Sequence, residues 1–146
     1  MNKTTGNISI VEDYLSLNTK GFCDIHDITD QVESMVASSG IKTGHVLVTI
    51  PGATAGITTI EYEPGLLKDL PEFFDRIIPR DISYHHDNTW HDGNGFSHLR
   101  ASLLKPSLMV GISQARLVLG TWQQIIVVDF DNRPRSRKVY IQITGI

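Results

Sequence analysis

After Ser107 the chain is almost entirely strand and turn, which constrains its fold more than any other feature. Leu108-Met109-Val110, Leu117-Val118-Leu119, Gln124 to Val128 and Val139 to Ile143 are strand-like runs, and Gly120-Thr121-Trp122-Gln123 separates two of them. The link from Asp129 to Arg135 carries the turn chemistry of Asp-Asn and Pro and predicts a hairpin. Trp122 reads as a core or interface anchor rather than a substrate platform. Arg133, Arg135, Arg137 and Lys138 cluster around the last turn. Such a group is a solvated edge that blocks strand pairing, or a set of guanidinium groups that hold phosphate.

The preceding part mixes strands with helices. Residues 8–18 read as a strand with a break at Glu12-Asp13, and Phe22 to Ile25 continue the sheet, with Cys23 as a small filler. Thr29 is an expected N-cap followed by Asp30 and Glu33, Ile28, Val32, Met35 and Val36 recur at helical spacing, and Gly40 supplies the stop. Val46, Val48 and Ile50 form a strand that Pro51-Gly52-Ala53 breaks, and Ile57 to Ile60 form another. Glu61 closes that run as a ligand, a general base or a solvated strand end. A second helix is predicted from Leu66 to Ile78, with Pro71 limiting its start and Pro79 ending it, and a third from Phe96 to Leu104.

A chain of 146 residues is one domain's worth, and its 40% apolar and 20% charged residues are those of an ordinary globule. The net charge of −3 leaves no electrostatic footprint for nucleic acid or an anionic membrane, so neither is expected as a partner. A single cysteine forbids an intramolecular disulfide. With no leader-like opening and no apolar run of spanning length, a cytoplasmic protein is expected.

The chemistry concentrates between Tyr84 and Arg100. Four of the six histidines (His85, His86, His91 and His98) fall there, with Asp87, Asp92 and Asn94 between them. Imidazole and carboxylate are ligands for zinc and similar divalent metals, and three protein ligands with one open position make a catalytic zinc arrangement. The bland alternative is a solvated polar loop. Gly93-Asn94-Gly95 offers backbone N–H groups at a helix start, an anion site in the making. If that helix begins near Asn94, then Asn94 and His98 lie one turn apart, on a face looking back at the loop that carries His86 and His91.

These residues carry a resemblance. Ile57 to Glu61, Tyr84-His85-His86, Asp92-Gly93-Asn94 with His98, Ala101 to Leu104, Leu117 to Gln123, and Asp129 to Arg137 together resemble the YjbQ family, from about Asp27 onward. The resemblance implies a single α+β domain, a sandwich of mixed, mostly antiparallel β-sheet with about three helices. It further implies a homotrimer, a metal or ligand site on His86 and His98, and the activity of a secondary thiamine-phosphate synthase. Many members carry His-Thr-Thr where this chain has Gly52-Ala53-Thr54, so one histidine is missing, and His91 is a candidate replacement. Lys105 and Ala115 stand where members often have glycine, which implies local loop differences.

The implied reaction joins a pyrimidine pyrophosphate to a thiazole phosphate with loss of pyrophosphate. It needs cations and N–H donors around phosphorylated groups. Arg100, Arg116, Arg133 and Arg135 can supply charge, and Gly93-Asn94-Gly95 the donors. A divalent metal, zinc by its ligand chemistry, held by His86, His91, Asp92 and His98, would polarise an oxygen or activate water. Glu61, Asp92 and His98 are the catalytic candidates. Two readings stay open: a metal-dependent enzyme acting on a small phosphorylated metabolite, and a non-catalytic metal- or metabolite-binding trimer.

Overall fold

The computed structural model describes residues 3–146. In chain order the elements are β1 (Ser9–Thr19), β2 (Asp24–Asp27), α1 (Thr29–Ser39), β3 (Thr43–Thr49) and β4 (Ala55–Ile60). Then follow α2 (Leu66–Ile77), α3 (His85–Trp90), α4 (Gly95–Leu104), β5 (Ser107–Ser113), β6 (Arg116–Leu117), β7 (Gln124–Asp129) and β8 (Arg135–Gly145). The expected α+β class holds, with two differences. There are four helices rather than three, and every strand pair in the described residues is antiparallel rather than mixed.

One sheet has five strands in the order β1-β8-β3-β5-β6, and the other has three in the order β2-β7-β4. The alternation of side chains along β7 explains the layering. Ile125 and Val127 face the core between the sheets, where they meet Val46, Val48, Val110, Ile141 and the α1 residues Val32 and Val36. Ile126, Val128 and Phe130 face the other way, onto Phe74 of α2 and Ala101 of α4. A strand covered on both faces must be apolar throughout, which is why this run lacks alternation. Burying a side chain of this size contributes roughly 1.5–3 kcal/mol, so β7 anchors both cores.

Several local expectations are corrected. β1 runs unbroken through Glu12 and Asp13, because eleven residues pair with β8 in continuous register. Ile28, not Thr29, is the N-cap of α1; the Thr29 hydroxyl bonds Asp27 and receives the Ile125 N–H at 2.8 Å, tying the helix to β7. Pro71 lies inside α2 rather than at its start. The link from Asp129 to Arg135 is no hairpin: β7 and β8 belong to different sheets, and the link crosses between them. Its acids turn inward to bond arginines of β8, which holds the two sheets together at one end of β7.

Candidate functional site

The histidine stretch folds as two short helices that meet at a right-sized corner. His85 to Trp90 form α3, where a loop was expected, and the His91 N–H closes it on the Asp87 carbonyl at 2.8 Å. The Asp87 side chain reaches forward and accepts the Gly95 N–H at 2.9 Å, tying α3 to the first turn of α4. The two helices approach so closely there that a Cβ at Gly95 would stand 2.5 Å from the Tyr84 Cβ. Ser97 bonds the Phe130 carbonyl at 2.6 Å and Asn132 Nδ2 bonds the Asp92 carbonyl at 2.7 Å, docking the corner onto the end of β7.

This docking brings His86 and His98 together, with ring centroids 4.3 Å apart. His86 Nε2 lies 3.6 Å from Asp92 Oδ1. The buried Asn94 amide stands against all of them, with one of its terminal atoms 3.1 and 3.2 Å from the Asp92 oxygens, 3.2 Å from His86 Nε2 and 3.3 Å from His98 Nε2. Turned with its nitrogen inward, the amide has two hydrogens for the two Asp92 oxygens and for whichever imidazole Nε2 carries no proton of its own. Burial first, and then the neighbouring His86, hold the His98 imidazole below its ordinary pKa, against the pull of Asp92, Asp131 and Asp87. A neutral imidazole is the form that ligates metal.

Zinc with bonds of about 2.0–2.1 Å spaces tetrahedral ligand atoms roughly 3.3 Å apart, close to the separations seen here. The chemistry of His86, His98 and Asp92, with the Asn94 oxygen available by a half-turn of its amide, therefore fits a divalent ion. The cage is not closed as it stands: among the described residues no three His, Cys, Asp or Glu side chains surround a common point.

The other expected residues lie elsewhere or are already engaged. His91 is exposed at the end of α3 with a positive φ of 55°, outside the cluster. Glu61 follows the end of β4 that pairs with Gln124, whereas the site adjoins the Ala55–Asp129 end, about 20 Å away at strand rise. Arg116 sits on β6 at the edge of the larger sheet. Arg100 is 1% exposed and binds Asp75 at 2.7 Å and the Ile78 carbonyl, between the rings of Phe74 and Phe96. It fastens α4 to α2. Gly93 and Asn94 border the cluster, but the Gly95 N–H is taken by Asp87 and is not free for an anion. Cys23 is buried in the helix-facing core, and burial pushes its thiol up to about 12.

Sequence reasoning missed the network behind the cluster. Asp129 and Asp131 are fully buried; Asp129 binds Arg137 through Nε at 2.7 Å and Nη2 at 2.9 Å, and Asp131 binds Arg135 Nε at 2.7 Å. Thr54 donates to Asp131 at 3.0 Å and accepts from Arg137 Nη2 at 2.8 Å, and Thr19 donates to Asp129. Arg135 was expected at the site as an anion-binding group, but its Nε is committed to Asp131. The available signal was period-two spacing: Asp129 and Asp131 share one strand face, as do Arg135 and Arg137.

Fold and site together define an α+β sandwich protein with a two-histidine, one-carboxylate cluster at a helix corner. The chain belongs to the UPF0047 YjbQ-like family, whose model matches residues 13–146. It is 41% identical to a UPF0047 protein of Archaeoglobus fulgidus over 88% of this chain and 97% of that protein. It is 36% identical to the Bacillus subtilis UPF0047 protein YugU, over 90% and 97% of the two chains. Among solved structures, a YbjQ-like protein of unknown function from Sulfolobus solfataricus P2 superposes with a TM-score of 0.90 at 31% identity, covering 96% of this chain and all of that one. No helix among the described residues is long and apolar enough to cross a membrane.

Proposed function

We propose that the chain is a cytoplasmic, metal-dependent enzyme acting on a small phosphorylated metabolite, with His86, His98 and Asp92 holding a divalent ion, zinc by ligand chemistry. One observation carries this reading: four electron-rich atoms of three side chains crowd a single amide group that has at most two hydrogens to offer. With both imidazoles presenting Nε2 as an acceptor, two positive charges would satisfy what two hydrogens cannot. When bound, such an ion supplies Lewis acidity to a phosphoryl or carbonyl oxygen. The chain's own contributions are orientation and exclusion. Asn132 fixes the Asp92 backbone, Asn94 sets the spacing of the donors, and burial favours the neutral form of His98. In its most specific form, which the family resemblance supports, the reaction is thiamine-phosphate synthesis from a pyrimidine pyrophosphate and a thiazole phosphate.

Elemental analysis of the purified protein tests the metal. We expect about one divalent ion per chain, unchanged in His91→Ala and lost in His98→Ala. Wild-type protein that retains no ion and gains no thermal stability from added zinc would end this reading. A second reading, a non-catalytic metal- or metabolite-binding homotrimer, draws support from Gly52 standing where the family resemblance implies a histidine. Turnover of the two phosphorylated substrates that vanishes in His98→Ala favours the enzyme; tight metal retention without turnover favours the second.

A further inference from the structure

The sequence treats Arg137 as part of a solvated edge, yet only 11% of its side chain is exposed. Three of its five N–H groups are used: Nε and Nη2 by Asp129, and Nη2 again by Thr54. Nη1 has no hydrogen-bond partner among the described residues. Every fully buried side-chain nitrogen or oxygen among them does have one, so Nη1 reaches solvent. Where it does so is set by Gly52. A Cβ at Gly52 would stand 3.3 Å from Nη1 with nothing else within 4 Å, so the missing side chain leaves that guanidinium edge uncovered. The residue's φ of 117° suits glycine alone.

Gly52 also lines a cavity of about 210 Å³ shared with His98, whose wall includes Ala53, Ala55, Ala101 and Ser102. The backbone N–H groups of Gly52 and Ala53 are without partners among the described residues and lie in an exposed turn. The cavity thus joins His98, across a wall of small side chains, to a turn with two free amide donors whose Gly52 lies against the edge of the Arg137 guanidinium. Asp129 and Asp131 balance the charges of Arg135 and Arg137, so what Nη1 offers at Gly52 is an uncommitted N–H donor edge and not a net charge.

We infer that this cavity is a phosphate subsite, in which Arg137 Nη1 and the Gly52–Ala53 amides hold the phosphoryl group of a small phosphate monoester beside His98. It deepens, and rests on, the reading of the histidine cluster as a substrate site. Guanidinium and backbone N–H groups are the donors that match phosphate oxygens, and the alanines leave room for a compact organic body. Glycine at position 52 then opens a place for the ligand's anionic end.

Arg137→Gln would leave Asp129 buried without its partner and can fail for that reason alone. Ser102 carries the test instead, because it is exposed on α4 and lines the cavity. Calorimetric titration with inorganic phosphate is run on metal-stripped and zinc-loaded protein, with metal content measured on the same samples. Stripped wild-type protein should bind phosphate, Ser102→Glu should weaken it about tenfold or more, and Ser102→Lys should tighten it. Absence of binding, equal affinity in wild type and Ser102→Glu, or binding that requires zinc would overturn the subsite. Phosphate binding by a protein that never takes up metal would leave the subsite standing and remove the metal alone.

Discussion

Asp131 shows how far burial can hide a residue from its sequence. Burial alone would raise its carboxyl pKa, but hydrogen bonds from Arg135 and Thr54 and the Arg135 charge outweigh that and hold it below the usual range. The unfolded chain titrates near about 3.9, so between the folded and unfolded values it binds more protons than the folded one. The stabilisation is complete above about pH 4 and is lost as pH falls through the folded value. Asp131→Asn should therefore flatten the acid limb of stability while lowering stability at pH 7, where Arg135 loses its partner. Urea midpoints at both ends of that range measure this, and an acid limb identical to wild type would exclude Asp131 from it. Arg100 makes the converse point. The sequence offers it as a phosphate ligand, whereas the fold spends it on Asp75 and the Ile78 carbonyl. Arg100→Ala should lower unfolding free energy by about 3 kcal/mol in chemical denaturation, with metal content unchanged. Residue type announces chemistry, but only the partner decides whether that chemistry faces a ligand or a neighbour.

At the scale of elements, legibility followed periodicity. The strands around Val46 and Ile57 and the helices around Val32 and Phe74 were visible because an apolar face repeats over several pleats or turns, and β7 because its run is apolar throughout. The six residues of α3 offered no such face: none of them is buried. What folds α3 is the Asp87 bond to Gly95 and the tight approach of Tyr84, both invisible without coordinates. The crossing between β7 and β8 was hidden for a related reason, since its turn residues are those of a hairpin and only the inward acids distinguish it. The α3–α4 corner supplies the element-scale prediction. Gly95→Ala must push Tyr84 and α3 away from α4, separating His86 from His98. If the corner holds the proposed ion, zinc affinity should drop at least about tenfold while far-ultraviolet circular dichroism stays native. Unchanged affinity would mean that the spacing of the two rings does not depend on that contact.

At the scale of the molecule, no element among the described residues covers one face of the larger sheet. The register places Glu12, Gln142, Leu47 and Met109 in one row across four strands, flanked by rows beginning at Ile10 and at Tyr14. The opposite side chains of the same strands, Val11, Ile143, Val46 and Val110, fill the core. On the outer face Ile10 and Met109 are each 61% exposed and Tyr14 58%. Apolar side chains gathered on an open sheet favour association, and two or more large ones per copy can anchor an interface. Under the homotrimer reading that the family resemblance implies, the occupant of this face would be a second copy of the chain. Met109→Glu puts a charge on this face at the β5 end of the row, without touching the histidine corner or either core. If the copies meet there, light scattering should report about one third of the wild-type mass for this variant, with zinc content and phosphate binding retained. A variant that keeps the wild-type mass would move the interface off this sheet, and a wild-type protein with the mass of one chain would remove the trimer altogether.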